Sequence, residues 1–525
     1  MPLVTLLAML AGCRDVTAPG APARIVVHAG AGATDTIGAE LAPLRLTVTD
    51  ASGRPVPGVE VVVDRVVMPP SDPDWRPEDR PVAIPRTMDG RAAEYGGLHD
   101  TTDADGATAI RVTLGWVAGT AALALSVPSV GVVDTVRFTV RPGAPKHLEL
   151  LSAYDTALTV GARARMAAIR LDRAFNRRDD SVTFASSAPE LAVAANGDVR
   201  ALAVGRAALT VSAPGIDSVT TWISVVPAGT LAVVRQDLDG TALGVMHVDG
   251  TGFRRVPFDG VPGLPEVTWE GFGPRWSADG QTLLVNAQDE VYRVSLDGGR
   301  YPLASSLPGD PADPERRQPV RHLARESKDG WIYQSVSCTG GEIVYRVRPG
   351  SATPAERVSP EPYDGDEELA RLLNCQAVRH EAPTLSPDGR HLAFTDVAFT
   401  PWRSTLSILD VASRSIRSLA IDGYAARWSP TGDLIAYWSD GGLWVVRPDG
   451  TGRRRISTSS RDYRWGVTWS PDGAYLLARR GDPFGATLVL IAVSSGREIP
   501  LPYSYWRRPQ NGHVISYGQP DWRHD

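Results

Sequence analysis

Trp428-Ser-Pro-Thr-Gly432, followed by the apolar stretch Leu434–Trp438, is the clearest copy of a phrase that recurs through the second half of this chain. In most copies an aromatic or apolar residue precedes a Ser-Pro-Asp-Gly-like turn, and a short apolar strand follows. Proline presets φ in such a turn, and glycine supplies the positive φ that completes the reversal. The six copies begin 41 to 59 residues apart, at Trp276, Glu326, Leu385, Trp428, Trp469 and Trp522. Repeats of this length predict radially arranged, four-stranded sheets.

Apolar character falls along each repeat. After Leu434–Trp438, the sequence predicts a third strand at Leu443–Val446 and a polar fourth strand at Arg453–Ile456, with turn residues between them. This gradient is typical of a blade whose first strand lines a central channel and whose fourth strand faces solvent.

The first blade lacks its opening phrase. Leu231–Val234, Leu243–Val248 and Arg254–Pro257 correspond to strands two, three and four only. The terminal segment Gln519–Asp525 matches the missing first strand. Because an open ring would leave two sheet edges exposed to aggregation, the sequence predicts that the C-terminal strand closes the first of six blades.

These phrases resemble the TolB-type propeller repeat, whose consensus runs Trp-Ser-Pro-Asp-Gly, Ile-Ala-Phe, Ile-Tyr-Val and Asp-Gly. The resemblance covers residues 229–525 and is weakest in the third blade, where Glu326 replaces the aromatic residue and the insertion Pro360–Arg379 follows. It implies a six-bladed β-propeller. Such propellers mostly bind partners or ligands, and some precede a catalytic domain in peptidases of the prolyl oligopeptidase type.

Two upstream segments resemble bacterial immunoglobulin-like modules. Residues 24–142 carry alternating strands such as Leu44–Asp50 and Val59–Val63 and resemble the invasin-type module, whereas residues 145–227, with Gly205–Val211, resemble a second bacterial type. The resemblance implies two β-sandwiches that act as spacers or adhesive units. With 51 glycines, 42 prolines and little helical periodicity, the whole chain is predicted to be all-β.

The sequence Asp103-Ala-Asp105-Gly106 in the first module has two interpretations. Its carboxylates could serve as calcium ligands. We favour a simple turn, in which an aspartate side chain bonds the backbone and glycine takes positive φ.

The N-terminus resembles a lipoprotein signal. An apolar run ends in Leu10-Ala-Gly-Cys13, similar to the lipobox in which the cysteine is diacylated. The resemblance implies a signal peptide over residues 1–12 and a flexible tether over 13–23, and Arg14 after the cysteine implies sorting to the outer membrane. The alternative is a buried apolar strand with an incidental cysteine, since no Lys or Arg precedes the run.

Two further cysteines, Cys338 and Cys375, remain once Cys13 is set aside. Two remaining cysteines are typical of a protein in an oxidising compartment, where thiols form disulfides. They predict a disulfide between the third blade and the insertion. Two independent buried thiols are the alternative. No Cys-x-x-Cys or histidine cluster accompanies them, so no metal is predicted.

The sequence offers no catalytic constellation. A Gly-x-Ser-x-Gly elbow is missing, and His380-Glu381 lacks the second histidine of a His-Glu-x-x-His motif. The candidate ligand-binding residues lie in or next to the predicted channel strands: Arg275, Glu381, Arg427 and Asp521. Their alternative role is to pair with each other or with solvent. Aromatic residues on the predicted blade-connecting loops are further candidates for peptide or carbohydrate contact, with packing at the rim as their alternative role: Tyr463, Trp465, Tyr503, Tyr505 and Trp506.

These observations favour a lipid-anchored binding or scaffold protein of the cell envelope. Its predicted ligand is a protein or a carbohydrate, and no cofactor is predicted. A net charge of −6 without basic clusters argues against nucleic acid. The alternatives are a propeller enzyme, a lyase or hydrolase using channel residues, and an envelope-assembly partner resembling TolB.

Overall fold

The computed structural model describes residues 18–66, 81–93, 97–152, 156–237, 240–258, 273–287, 290–302, 320–338, 341–348, 355–359, 380–399, 402–457, 463–480, 487–502, 516–517 and 520–523. The described residues form β-strands arranged in sheets, joined by turns and loops, and the fold class is all-β. Among the described residues, no helix has the length and apolar character that a membrane span needs.

The first compact unit holds the described residues up to Ser152, together with 167–183 and 211–219. Two of its sheets share one hydrophobic core, to which Leu46 and Ile110 contribute from one sheet and Leu123 and Phe138 from the other. In spatial order, the first sheet contains Pro22–Ala29, Leu44–Asp50, Ala107–Leu114 and Ala83–Thr87; the second contains Thr34–Thr36, Val132–Arg141, Gly119–Val127, Glu60–Arg65 and Leu98–Thr101.

The sequence Asp103–Gly106 in this unit is a turn. Asp103 Oδ1 accepts hydrogen bonds from the backbone N–H groups of Asp105 and Ala107, each at 2.9 Å. Gly106 has a φ of 64°, where a side chain would be strained. The predicted turn is therefore observed.

Residues 145–226 supply three smaller sheets. Their strands, in spatial order, are Pro145–Leu150, Ala168–Asp172 and Arg177–Arg178; Thr156–Thr159, Ile216–Val226, Gly205–Ala213 and Thr183–Ser186; and Arg163–Arg165, Asp198–Ala201 and Leu191–Val193. Gly205–Ala213 alternates strictly between buried and half-buried residues, as a strand with one covered face must.

The second compact unit holds the described parts of 153–166, 184–210 and 220–525. Most of it consists of six antiparallel sheets, which we number 1 to 6. Sheet 1 contains Arg254–Arg255, Gly240–His247 and Thr230–Asp237, the last paired with both Ser516–Tyr517 and Asp521–Trp522. Sheet 2 contains Arg275–Trp276, Thr282–Ala287, Glu290–Ser295 and Arg300–Pro302, and sheet 3 contains Val320–Glu326, Ile332–Cys338, Gly341–Val347 and Glu356–Arg357. Sheet 4 contains His380–Leu385, His391–Phe399, Trp402–Asp410 and Ile416–Asp422, and sheet 5 contains Tyr424–Trp428, Ile435–Ser439, Gly442–Val446 and Arg454–Arg455. Sheet 6 contains Tyr463–Trp469, Tyr475–Arg480, Thr487–Ala492 and Glu498–Pro500.

We call the first strand of sheets 2 to 6, and Asp521–Trp522 in sheet 1, the leading strands. Hydrophobic clusters join sheet 1 to 2, 2 to 3, 3 to 4, 4 to 5 and 5 to 6. A further cluster joins sheet 6 to sheet 1, with Leu477 and Leu490 packed among Leu231, Val233 and Trp522. Among the described residues, each sheet therefore shares a hydrophobic cluster with two other sheets.

Trp522 lies at the centre of the cluster between sheets 6 and 1. Its side chain is fully buried, and its backbone pairs with Leu231. A Cβ at Gly229 would come within 2.2 Å of the indole Nε1, so only glycine allows the indole to pack this closely. The neighbouring strand thus leaves room for the tryptophan that the last residues of the chain supply.

Candidate functional site

The repeated turns share one hydrogen-bonding scheme. In sheets 2, 3, 4 and 6 the turn serine donates its hydroxyl to the turn aspartate at 2.5–2.6 Å, in the pairs Ser277–Asp279, Ser327–Asp329, Ser386–Asp388 and Ser470–Asp472. The hydrogen bond from the Ser277 hydroxyl is the largest cause that holds the pKa of the Asp279 carboxyl below its usual value. The polar groups of these turns therefore largely satisfy one another.

The turns and leading strands of sheets 2 to 6, together with Asp521, enclose a cavity of about 630 Å³. Cavities of roughly 300–1,000 Å³ are typical of small-ligand sites. Its apolar wall includes Leu385, Trp428, Val467 and Trp469, and its polar wall includes Arg275, Thr384, Arg427, Thr468 and Asp521. Lys328 and Arg390 stand on the exposed rim beside Asp329 and Asp388.

Three polar wall residues have a structural role. Each lies immediately before the Trp or Leu of its own leading strand and accepts a hydrogen bond from the backbone N–H of the next leading strand. The bonds run from Trp276 to Asp521 Oδ2 at 2.9 Å, from Trp428 to Thr384 Oγ1 at 3.2 Å, and from Trp522 to Thr468 Oγ1 at 3.3 Å. These side chains link successive sheets at the cavity wall.

Arg275 and Arg427 occupy the same position in sheets 2 and 5. A guanidinium has no hydrogen-bond acceptor atom, so neither side chain can accept the backbone N–H of the next leading strand. Arg275 instead forms an ion pair with Asp521, Nη1 to Oδ1 at 3.6 Å, and both side chains are at most 6% exposed. Arg427 donates from Nη1 to the Ala426 carbonyl at 2.8 Å. Its Nε is buried and has no hydrogen-bond partner among the described residues.

The electrostatic environment of Arg427 is unfavourable to its charge. Burial, and then repulsion by the Arg275 cation, lower the pKa of the Arg427 guanidinium to about 9, although the Asp521 carboxylate acts in the opposite direction. Two cations thus share one carboxylate at the cavity wall. The arrangement favours the approach of a further negative charge.

Irregular backbone geometry precedes two of the residues that line the cavity, Thr384 and Arg427. The leading strands of sheets 4 and 5 have β-bulges between Glu381 and Thr384 and between Tyr424 and Arg427. Ala382 and Ala425, inside the bulges, have φ values of 49° and 53°. A bulge changes the direction of the side chains that follow it, and positive φ in alanine costs energy that packing must offset.

The structure therefore brings together three of the four channel residues expected from sequence, namely Arg275, Arg427 and Asp521. For Arg275 and Asp521 the alternative role also holds, since they pair with each other. Glu381 lies on the strand His380–Leu385 opposite Thr395, and its side chain is outside the described part of the structure.

Sequence reasoning did not find Thr384 and Thr468. Both stand at the position that Arg275, Arg427 and Asp521 share, immediately before the Trp or Leu of the leading strand. Aligning the six copies on that position would have identified these five residues, together with Arg325 of the third copy, as one set.

Several other candidate residues fall outside the described residues. These are Cys13, Cys375, Tyr503, Tyr505 and Trp506, and the side chains of Cys338, Tyr463 and Trp465. Within the described ranges, no group of three or more His, Cys, Asp or Glu side chains could hold a metal ion.

The comparisons with known proteins find similarity to TolB over part of the chain. No protein-family model matches the chain. The chain is 36% identical over 129 residues to the Protein TolB homolog of Chlorobium luteolum, a match that covers 23% of this chain and only 28% of that relative. The repeated sheets and this sequence similarity together support a TolB-like β-propeller.

The similarity to solved structures is weaker than this sequence similarity. TolB from Acinetobacter baumannii matches with a TM-score of 0.41 and 12% identity, over 72% of this chain and 100% of that one. An oligogalacturonate lyase from Vibrio parahaemolyticus matches with a TM-score of 0.30 and 11% identity, over 52% of this chain and 73% of that one. TM-scores this low do not establish a shared fold.

Proposed function

We propose that this chain is a lipid-anchored binding protein of the bacterial cell envelope. In this proposal residues 229–525 form a six-bladed propeller that recognises a ligand and is closed by the C-terminal strand. Immunoglobulin-like sandwiches over residues 24–142 and 145–227 act as spacers. The role is binding and not catalysis, and the anchor lies in the outer membrane.

The observation that carries the proposal is the cavity among the repeated turns. It has the volume of a ligand site, and its wall holds Arg275, which is paired with the Asp521 carboxylate, and Arg427, which forms no ion pair among the described residues. A wall that served packing alone would not place a second cation beside Arg275. The similarity to TolB and the cluster that joins sheet 6 to sheet 1 support the closed propeller.

Site-specific photocrosslinking in cells tests the proposed binding surface. A photoreactive amino acid at Lys328 or Arg390 on the exposed rim should form an adduct with one defined envelope component. The matched control position is Arg447, which is exposed in the turn after the strand Gly442–Val446 of sheet 5 and does not line the cavity. Equal adducts from Arg447, or none from the rim, would overturn the proposed surface.

The anchor is tested at Cys13. We expect the native chain to partition with membranes and Cys13→Ala to be released or left unprocessed, because the thiol is the point of acylation in the proposed signal. Cell fractionation with detergent phase separation measures this, and Cys338→Ala is the control that should remain in the membrane. Equal membrane partitioning of native and Cys13→Ala protein would contradict the anchor.

The disulfide is tested by peptide mapping. Non-reducing mass spectrometry of protein isolated from the envelope should find Cys338 and Cys375 in one linked peptide pair, since an oxidising compartment favours pairing of the two. Free thiols at both positions would show that the pairing is wrong.

A further inference from the structure

We propose that the cavity binds the terminal carboxylate of a peptide whose last side chain is apolar, with Arg275 and Arg427 holding the carboxylate. This inference deepens the proposed function and rests on it, because it names the ligand chemistry of the same cavity. Three features of the wall lead to it: its charge, the state of its hydroxyl groups, and its indole rings.

The charge at the position shared by the leading strands calls for a single negative group. At this position Arg275, Arg427 and Asp521 together carry one net positive charge when ionised. Glu326 also lines the cavity, but its carboxylate already accepts from Arg293 at 2.5 Å and from the Ala278 N–H at 3.3 Å. Asp329 and Asp388 are balanced on the exposed rim by Lys328 and Arg390. Guanidinium forks match carboxylates in bidentate geometry, so a monoanionic carboxylate suits the two arginines.

The hydroxyl oxygens around the cavity already take part in hydrogen bonds within the protein. Thr384 Oγ1 accepts from the Trp428 N–H, and Thr468 Oγ1 accepts from the Trp522 N–H and donates to Asp521. The turn serines donate to their own aspartates or, in sheet 5, to Asp433. A ligand rich in hydroxyls would lose hydrogen bonds to water and recover few from this wall. These contacts favour a peptide over an acidic sugar.

The half-buried indole of Trp428 offers apolar surface only. Its Nε1 already donates to the Gly432 carbonyl at 3.2 Å. Leu385 lies on the same wall, and the buried Trp469 and Val467 back it. An apolar side chain attached next to the carboxylate would therefore pack against the Trp428 ring while its carboxylate reaches the arginines.

Calorimetric titration of the full chain tests the proposal with four probes: N-acetyl-phenylalanine, its amide N-acetyl-phenylalaninamide, N-acetyl-glycine and inorganic phosphate. We expect the free acid to bind about tenfold or more tightly than the amide, the difference typical of one charge-assisted hydrogen bond. N-acetyl-glycine should bind more weakly than N-acetyl-phenylalanine, because it lacks the apolar side chain.

Variants assign the binding to the cavity. Arg427→Gln should weaken binding of the free acid to the level of the amide, and Arg427→Lys should give an intermediate affinity, because lysine keeps the charge and loses the planar fork. Arg447→Gln is the matched control that should bind normally. Thermal melts of the three variants establish that each is folded before the titration.

The outcomes are decisive in each direction. Equal affinity for acid and amide, or unchanged binding by folded Arg427→Gln, would overturn the proposal. Phosphate binding as tightly as the free acid would also overturn it and show a general anion site. If these probes bind as expected but rim crosslinks do not form, the chemistry stands and the proposed function fails; crosslinks without acid binding give the reverse result.

Discussion

Deletion of residues 519–525 is expected to remove the folded propeller while leaving the N-terminal sheets intact. The deletion takes away Trp522, a fully buried side chain, together with the backbone partner of Leu231. Loss of a buried tryptophan side chain alone costs about 3–5 kcal/mol in core substitutions, and a domain of ordinary stability has only about 5–15 kcal/mol. Differential scanning calorimetry should show the transition of residues 229–525 lowered sharply or lost.

A pair of point substitutions separates packing from truncation. Trp522→Ala should reproduce most of the loss, whereas Trp222→Ala should cost much less, because Trp222 is 41% exposed and packs under the guanidinium of Arg206. Melting of the deleted protein like the native one would show that the terminal strand is dispensable.

Replacement of Asp521 by asparagine is the second change with a large expected effect. It leaves the guanidinium of Arg275 buried without its ionic partner, 3.6 Å away in the native protein. Breaking a buried pair by removing one member typically costs about 3–5 kcal/mol. Chemical denaturation of Asp521→Asn should therefore give a markedly lower free energy of unfolding at neutral pH.

Glu498→Gln provides the matched control. Its ion pair with Arg480 spans 2.9 Å in the same propeller, but the two side chains are 22% and 30% exposed, and such pairs contribute about 0–1 kcal/mol. Adding Arg275→Gln to Asp521→Asn should recover part of the loss, because the stranded charge is gone. Equal losses for Asp521→Asn and Glu498→Gln would contradict a buried pair at the cavity wall.

The periodic part of the fold was predictable from sequence because each repeat encodes its own turns and strands. The strand predicted at Leu434–Trp438 is observed at Ile435–Ser439. The turn glycine Gly432 has a φ of 82°, as the sequence requires. Local rules suffice here, since proline and glycine act on their own backbone and burial follows the apolar run.

The cavity was less predictable because it depends on contacts between repeats. Arg275 and Asp521 are far apart in the chain, and nothing in either local sequence identifies the other as its partner. The bulge at Ala425, which redirects Arg427, has no glycine or asparagine to mark it. The hydrogen bond from the Trp428 N–H to the Thr384 hydroxyl likewise depends on how two sheets pack, which neither local sequence shows.

The most direct test of the cavity as the recognition site is a crystal structure of the full chain with N-acetyl-phenylalanine at saturation. We predict that the ligand carboxylate lies within hydrogen-bonding distance of the Arg427 and Arg275 guanidiniums and that its ring packs against Trp428. Density for the ligand elsewhere on the protein, with the cavity empty of it, would contradict this account.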